Sequence, residues 1–117
     1  MELLQDHKAE LLVVRLKGEL DLSNTGHCKK ELERVLKREP EISTIIFNLA
    51  EIDFIDSTGI GMILQKIRQM ESRGGEIILT NLDGHLKNIL QMAGVLRLVS
   101  VFSTEKAAWN LYRREVK

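Results

Sequence analysis

This sequence predicts an α/β fold, on three observations. Short β-branched apolar runs alternate along the chain with longer stretches whose apolar residues recur at helical spacing. No Pro- or Gly-rich linker, internal repeat or low-complexity segment breaks that alternation. The length, 117 residues, suits one core and is too short for a multi-domain enzyme. A composition of 44% hydrophobic and 29% charged residues is that of a folded globular chain, not a disordered one. One domain over residues 1–117 is the expectation.

The elements follow in order. Residues 11–17 are apolar at first and then alternate (Val14, Arg15, Leu16, Lys17), which predicts a strand with one partly wet face, interrupted by Gly18. Over residues 24–38, Cys28, Leu32, Val35 and Leu36 fall on one side of a helix. Ser23 is the expected N-cap, and Pro40 blocks continuation. Residues 44–49 are short, β-branched and nearly all apolar, as in a central strand covered on both faces. A second helix runs from Ser57 to about Ser72 on a stripe of Ile60, Ile63, Leu64, Ile67 and Met70, and Gly74-Gly75 ends it. Residues 76–80 form another buried strand. Asp83 opens a third helix with apolar positions Leu86, Ile89, Leu90 and Ala93, stopped by Gly94. Residues 98–102 read as the last strand, after which Thr104 caps a helix carrying Ala107, Ala108, Leu111 and Tyr112. Most connections should be parallel and right-handed.

Composition excludes several functions. Lys plus Arg and Asp plus Glu both number 17, so the net charge is zero and no long-range field collects nucleic acid or anionic membrane. The single cysteine, Cys28, rules out an intramolecular disulfide and makes a reducing cytoplasm the default location. Residues 1–10 mix Glu2, Asp6 and Glu10 with Lys8, unlike a signal peptide, and no apolar run is long enough to cross a bilayer. Neither end carries a lipidation motif.

One segment breaks the rules of its own element. Asp53-Phe54-Ile55-Asp56-Ser57-Thr58-Gly59-Ile60-Gly61 joins a buried strand to the second helix and sets two glycines in that helix's first turns. Each costs about 1 kcal/mol relative to Ala, so helix propensity did not select them. Glycine there permits close approach of another backbone or a ligand, and a helix N-terminus attracts anions, so Ser57 sits where a phosphate is tolerated. The plainer alternative is that Asp56 or Ser57 is only an N-cap and the glycines only let the helix pack tightly. Charge favours the first reading. No Lys or Arg occurs between Arg38 and Lys66, whereas Glu39, Glu41, Glu51, Asp53 and Asp56 all do. A phosphate bound from solution needs a cation nearby; one attached covalently to serine does not.

Other motifs point nowhere specific. Gly59-Ile60-Gly61 opens like a dinucleotide fingerprint, but Leu64 stands at the third glycine position, and there is no P-loop. His7, His27 and His85 fall in three separate elements and form no spaced metal set with one cysteine. Cys28 reads as a core residue, Trp109 and Tyr112 as packing of the last helix, and Arg113-Arg114 as a solvated end.

Asp56-Ser57-Thr58-Gly59-Ile60-Gly61, after an apolar strand and Phe54-Ile55, resembles the signature of the STAS domain of bacterial anti-sigma factor antagonists. Gly18-Glu19-Leu20-Asp21 is similar to that family's N-terminal segment, and Leu86 to Val95 followed by Leu98 to its third helix, terminal glycine and next strand. The resemblance spans essentially the whole chain. It implies a mixed β-sheet of about four to five strands, the N-terminal ones partly antiparallel, with about four amphipathic helices. It also implies partner switching. The unmodified antagonist would bind an anti-sigma factor that is itself a serine protein kinase and so free the sigma factor; the kinase would phosphorylate the antagonist, and a PP2C-type phosphatase would reverse it. Ser57 matches the phosphoacceptor, with Asp56, Thr58, Gly59 and Gly61 completing the motif. Asp21, Ser23, Asn24 and Thr25 correspond to a partner-binding region beside it. No cofactor, metal, enzymatic activity, membrane contact or direct nucleic-acid contact is implied.

Two alternatives stand beside this one. Within the family, the chain would be a scaffold or a regulator of a pathway other than transcription. Outside it, an aspartyl-phosphate receiver would use Asp53 or Asp56, but receivers need an acidic pair after the first strand and a lysine after the last. Here the first predicted strand ends Leu16-Lys17-Gly18, and Phe102 is followed by Ser103-Thr104.

Overall fold

A computed structural model describes the backbone of residues 2–6 and 10–115 and the side chains of residues 10–112. The expectations for His7, Lys8, Arg113 and Arg114 lie outside the described residues or side chains. The elements are β1 (Glu2–Asp6), β2 (Leu11–Leu20), α1 (Thr25–Arg38), β3 (Thr44–Ile55), α2 (Ser57–Ser72), β4 (Glu76–Thr80), α3 (Gly84–Met92), a 3-10 turn (Val95–Arg97), β5 (Ser100–Phe102) and α4 (Glu105–Glu115). The five strands form one sheet in sequence order. β1 is antiparallel to β2, while β2, β3, β4 and β5 run parallel. The sheet is mixed, with the antiparallel pair at the N-terminus.

This order decides where the helices lie. Each step from β2 to β5 moves the same way across the sheet, and right-handed crossovers then place every connecting helix on one face. Cys28, Leu32 and Leu36 of α1, Met62, Ile63 and Met70 of α2, and Leu86 and Leu90 of α3 accordingly share a core with Leu12, Val14, Ile45, Phe47, Ile77 and Leu79. Side chains alternate along a strand. The other parity, Leu11, Val13, Ile46 and Ile78, is therefore left for α4, which covers it with Ala108, Trp109 and Tyr112. β3 lies between the two cores, and Ile45, Ile46 and Phe47 are wholly buried, as a central strand requires. Among the described residues no helix is long and apolar enough to cross a membrane.

Several local expectations need correction. Gly18 does not interrupt the first long strand: β2 runs on to Leu20, with Gly18 at φ +88° beside a register shift against β3. A bulge absorbs the residue that would otherwise end the pairing. β3 likewise extends past Leu49 to Ile55, so the strand delivers the chain directly to Asp56. Ser23 is not the N-cap of α1. That position belongs to Asn24, because the Asp21 carboxylate claims the Ser23 hydroxyl at 2.6 Å and its N–H at 3.0 Å in a turn before the helix.

On α2, Ile60 and Leu64 are only half-buried, and the buried stripe is Gly59, Met62, Ile63, Lys66, Ile67 and Met70. The helix is rotated toward Met62 because Gly59 packs against the sheet. Of the positions expected inward on α3 and α4, Ala93, Ala107 and Leu111 are exposed. The final strand is shortened to Ser100–Phe102 because residues 95–97 wind into the 3-10 turn.

Candidate functional site

The site forms where β2 and β3 end side by side. Both strands run in the same direction, so the turns that follow them emerge on one edge of the sheet: residues 21–24 leading into α1, and Asp56 leading into α2. Asp56 donates its N–H to the Leu20 carbonyl at 3.2 Å. Its carboxylate divides between the two elements. Oδ1 accepts the N–H groups of Thr58 (2.9 Å) and Gly59 (3.2 Å) and the Thr58 hydroxyl (2.6 Å), while Oδ2 accepts the Leu22 N–H (3.2 Å). Asp56 is thus the N-cap of α2, in extended conformation as caps are. Its carboxyl is held below the ordinary range, first by the Thr58 hydroxyl and then by the N–H groups of Gly59, Leu22 and Thr58, against the opposing effect of desolvation.

Ser57 is the first residue of the helix and is exposed. Among the described residues no hydrogen bond holds its hydroxyl. Thr58 behaves differently: besides donating to Asp56, its hydroxyl oxygen receives the buried Thr25 hydroxyl at 3.4 Å. Asn24 stitches the neighbouring turn, accepting the Asp21 N–H at 3.0 Å and donating to the Glu19 carbonyl. The Asp21 carboxyl is also lowered, chiefly by the Ser23 hydroxyl, although the nearby Asp56 charge works against this. Asp21, Ser23, Asn24, Asp56, Ser57 and Thr58 therefore meet in one surface region, whereas Thr25, expected at the partner-binding surface, is 5% exposed and lies beneath it.

The two glycines of the motif differ. A Cβ on Gly59 would lie 2.4 Å from the Leu20 carbonyl oxygen and 2.8 Å from an Ile55 side-chain carbon, so the end of β2 demands glycine there. A Cβ on Gly61 would meet nothing within 4 Å, and the residue is exposed. The tight-packing explanation accounts for Gly59 and leaves Gly61 unexplained by this chain's own fold.

Three residues were not anticipated. Leu22, beside Asp56, is 78% exposed, and Phe54, at the end of β3, is 46% exposed. An apolar residue within the polar stretch Asp21–Asn24 was the available signal for the first. Lys66 is fully buried on α2, paired with Glu33 of α1 and with Gln69 at 2.9 Å. Its spacing from Met62 and Met70 places it on the buried stripe, although a lysine does not read as core. The cation that closes the acidic interval from Arg38 is therefore not on the surface.

The longer β2 also revises one ground against a receiver. Glu19 within the strand's last residues and Asp21 just after it, not Lys17 and Gly18, stand at its end, so acidic residues do occur there. The other ground remains: β5 is followed by Ser103 and Thr104, with no lysine. Among the described residues no group of three or more His, Cys, Asp or Glu is placed to hold a metal ion.

A mixed α/β sheet that presents an exposed serine on a capped helix start is the frame on which the comparisons with known proteins converge. The STAS domain family model matches residues 3–108, and the chain belongs to that family, among the anti-sigma factor antagonists. The anti-sigma F factor antagonist of Lysinibacillus sphaericus is 31% identical over 86 residues, 74% of this chain and 73% of that protein. The solved structure of the anti-sigma factor antagonist SpoIIAA in its unphosphorylated form superposes with a TM-score of 0.81 at 28% identity, covering 96% of this chain and 95% of that one. The phosphorylated form of the Bacillus cell fate determinant SpoIIAA gives a TM-score of 0.71 at 26% identity, covering 94% and 97%.

Proposed function

We propose that this chain is a non-enzymatic partner switch: unmodified, it binds an anti-sigma factor that is also a serine protein kinase, and phosphorylation of Ser57 ends that binding. A PP2C-type phosphatase would restore it. The observation that carries this reading is the contrast at the start of α2, where the neighbouring hydroxyl is tied down and Ser57 is exposed and untied on a rigid, capped turn. The names of the relatives support it, and a solved relative in phosphorylated form indicates that this fold accommodates the modification.

Phosphorylation adds about −1.5 to −2 charges. Sequence alone suggests that the helix N-terminus would absorb them. In the folded chain Asp56 already occupies the N–H groups of Thr58 and Gly59, so the phosphate meets a carboxylate rather than idle donors. The added charge stays on the surface. Covering an unpaired phosphate costs an interface several kcal/mol, and each 1.4 kcal/mol is tenfold in affinity. The fold need not change for the partner to be lost. Exposed Leu22 and Phe54 give that partner apolar surface to cover beside Asp21, Ser23, Asn24, Asp56 and Ser57, with buried Thr25 supporting the region from below, and Gly61 leaves it room to come close.

The test uses immobilised protein and extract of the source cells with labelled ATP. Wild type should gain phosphoserine, Ser57→Ala should gain none while capturing a serine kinase of the anti-sigma type, and Ser57→Asp should capture less of it. Equal capture by the phosphorylated and unmodified protein would sink the proposal, as would undiminished labelling of Ser57→Ala.

A further inference from the structure

Two hydroxyls stand side by side at the start of α2, and the fold treats them oppositely. We propose that Asp56 and Thr25 are positioning residues that hold the Thr58 hydroxyl out of reaction and so make Ser57 the phosphate acceptor. This rests on the reading that the chain is phosphorylated at this helix start.

Phosphoryl transfer makes definite demands on the accepting oxygen. It attacks the γ-phosphorus of the nucleoside triphosphate held by the kinase, and a new O–P bond forms. The bond from the γ-phosphorus to the β–γ bridging oxygen breaks, its electron pair leaving on the nucleoside diphosphate, and the hydroxyl proton passes to a base of the kinase. An acceptor therefore needs a free lone pair, an open approach and a proton that the kinase can reach.

Thr58 meets these demands poorly: its proton is committed, its approach is half-buried, and one of its two lone pairs is engaged. Its proton is committed to Asp56 Oδ1 at 2.6 Å, a short bond to a carboxylate and so a strong one. Its oxygen already receives the Thr25 hydroxyl at 3.4 Å. Thr25 is 5% exposed and begins α1, so the second contact comes from a fixed, buried donor. Thr58 is itself half-buried. Ser57, one residue earlier, is exposed, and no described residue holds its hydroxyl. The selection lies in the substrate's fold, ahead of any preference of the kinase.

The experiment maps the phosphorylated residue by mass spectrometry after incubation with ATP and the kinase captured from the source cells. Asp56→Gly removes the acceptor of the Thr58 proton at small cost to a helix start, whereas Asp56→Asn keeps an acceptor oxygen. In wild type all phosphate should fall on Ser57. Ser57→Ala combined with Asp56→Gly should carry phosphate on Thr58 at least about tenfold above Ser57→Ala alone, the scale of releasing one such hydrogen bond. Ser57→Ala with Asp56→Asn should stay near the Ser57→Ala level. A folded Asp56→Gly double variant that gains nothing overturns the proposal. So does rapid Thr58 labelling in Ser57→Ala alone.

Where Asp56→Gly does not fold, Thr25→Val in the Ser57→Ala background takes its place: it leaves the cap intact, a rise in Thr58 labelling supports the proposal and no rise overturns it. Wild type that takes no phosphate at Ser57 would instead defeat the underlying reading. The lock is then judged by proton NMR without kinase, where a slowly exchanging Thr58 hydroxyl proton supports it and a rapidly exchanging one refutes it.

Discussion

The Asp56 carboxylate accepts the backbone N–H of Leu22 at 3.2 Å, joining residues 34 positions apart in sequence. The same carboxylate caps α2, so the turn that exposes Leu22 and the helix start that exposes Ser57 are held by one side chain. Beside the Asp56–Leu20 backbone bond and the Thr25–Thr58 hydroxyl bond, the two surface elements thus share a tie that depends on a charged group.

That dependence sets the response to acid. The carboxyls of Asp56 and Glu105 are both lowered in the folded chain, the first chiefly by the Thr58 hydroxyl and the second by Arg15, which reaches it at 2.7 Å and 3.0 Å. A lowered folded value means that the stabilisation is fully present above the unfolded values, 3.8 for Asp and 4.5 for Glu, and is lost as pH falls through the folded ones. Urea denaturation of wild type should thus weaken progressively below the ordinary carboxylate range, and Asp56→Asn should show a shallower decline. Parallel pH profiles for the two proteins would contradict this.

The two motif glycines should respond in opposite directions to alanine. Gly59→Ala drives a methyl against the Leu20 carbonyl oxygen, 2.4 Å away, and should cost about 1–3 kcal/mol. Gly61→Ala meets open space within the helix and should stabilise by up to about 1 kcal/mol. Equal effects in denaturant titrations would show that Gly59 is not pressed against β2.

Lys66 should be replaceable more cheaply than its partner. Lys66→Met fills a similar volume without a buried charge and should change stability by less than about 1.5 kcal/mol. Glu33→Ala leaves the fully buried ammonium donating to the neutral Gln69 amide oxygen without a carboxylate partner, and should cost about 1–3 kcal/mol. The reverse order of midpoints would mean that the pair itself stabilises the packing of α1 on α2.

Leu22 should matter to binding and not to folding. At 78% exposure, Leu22→Ala should alter stability by no more than about 0.5 kcal/mol. Calorimetry against the captured kinase should show affinity falling about tenfold, as for an apolar anchor in an interface. Unchanged affinity would place the partner elsewhere.

The register of the chain was largely legible beforehand. The short, β-branched runs at residues 44–49 and 76–80 read as buried strands, and the spacing of Cys28, Leu32, Val35 and Leu36 reads as one face of a helix, because those periods gather the apolar side chains on surfaces that can be buried. What escaped was whatever a neighbouring element supplied. Gly18 reads as a stop until β3 offers a partner across a bulge. Ser23 reads as a cap until the Asp21 carboxylate takes its hydroxyl. Lys66 marks only the end of an acidic interval until the fold buries it beside Glu33 from another helix.

The Asp56-to-Gly61 motif, its place after a strand and the acidic interval around it are properties of the sequence by itself, since spacing, charge and glycine content need no third dimension. Tertiary structure alone decided how the motif is used. Parallel pairing of β2 with β3 brings Leu22 and Thr25 to Asp56 and Thr58, and that proximity ties one hydroxyl and leaves the other untied. The physical reason is that a hydrogen bond reaches only about 3 Å between heavy atoms, so whether a side chain is engaged depends on which distant residues the sheet sets beside it.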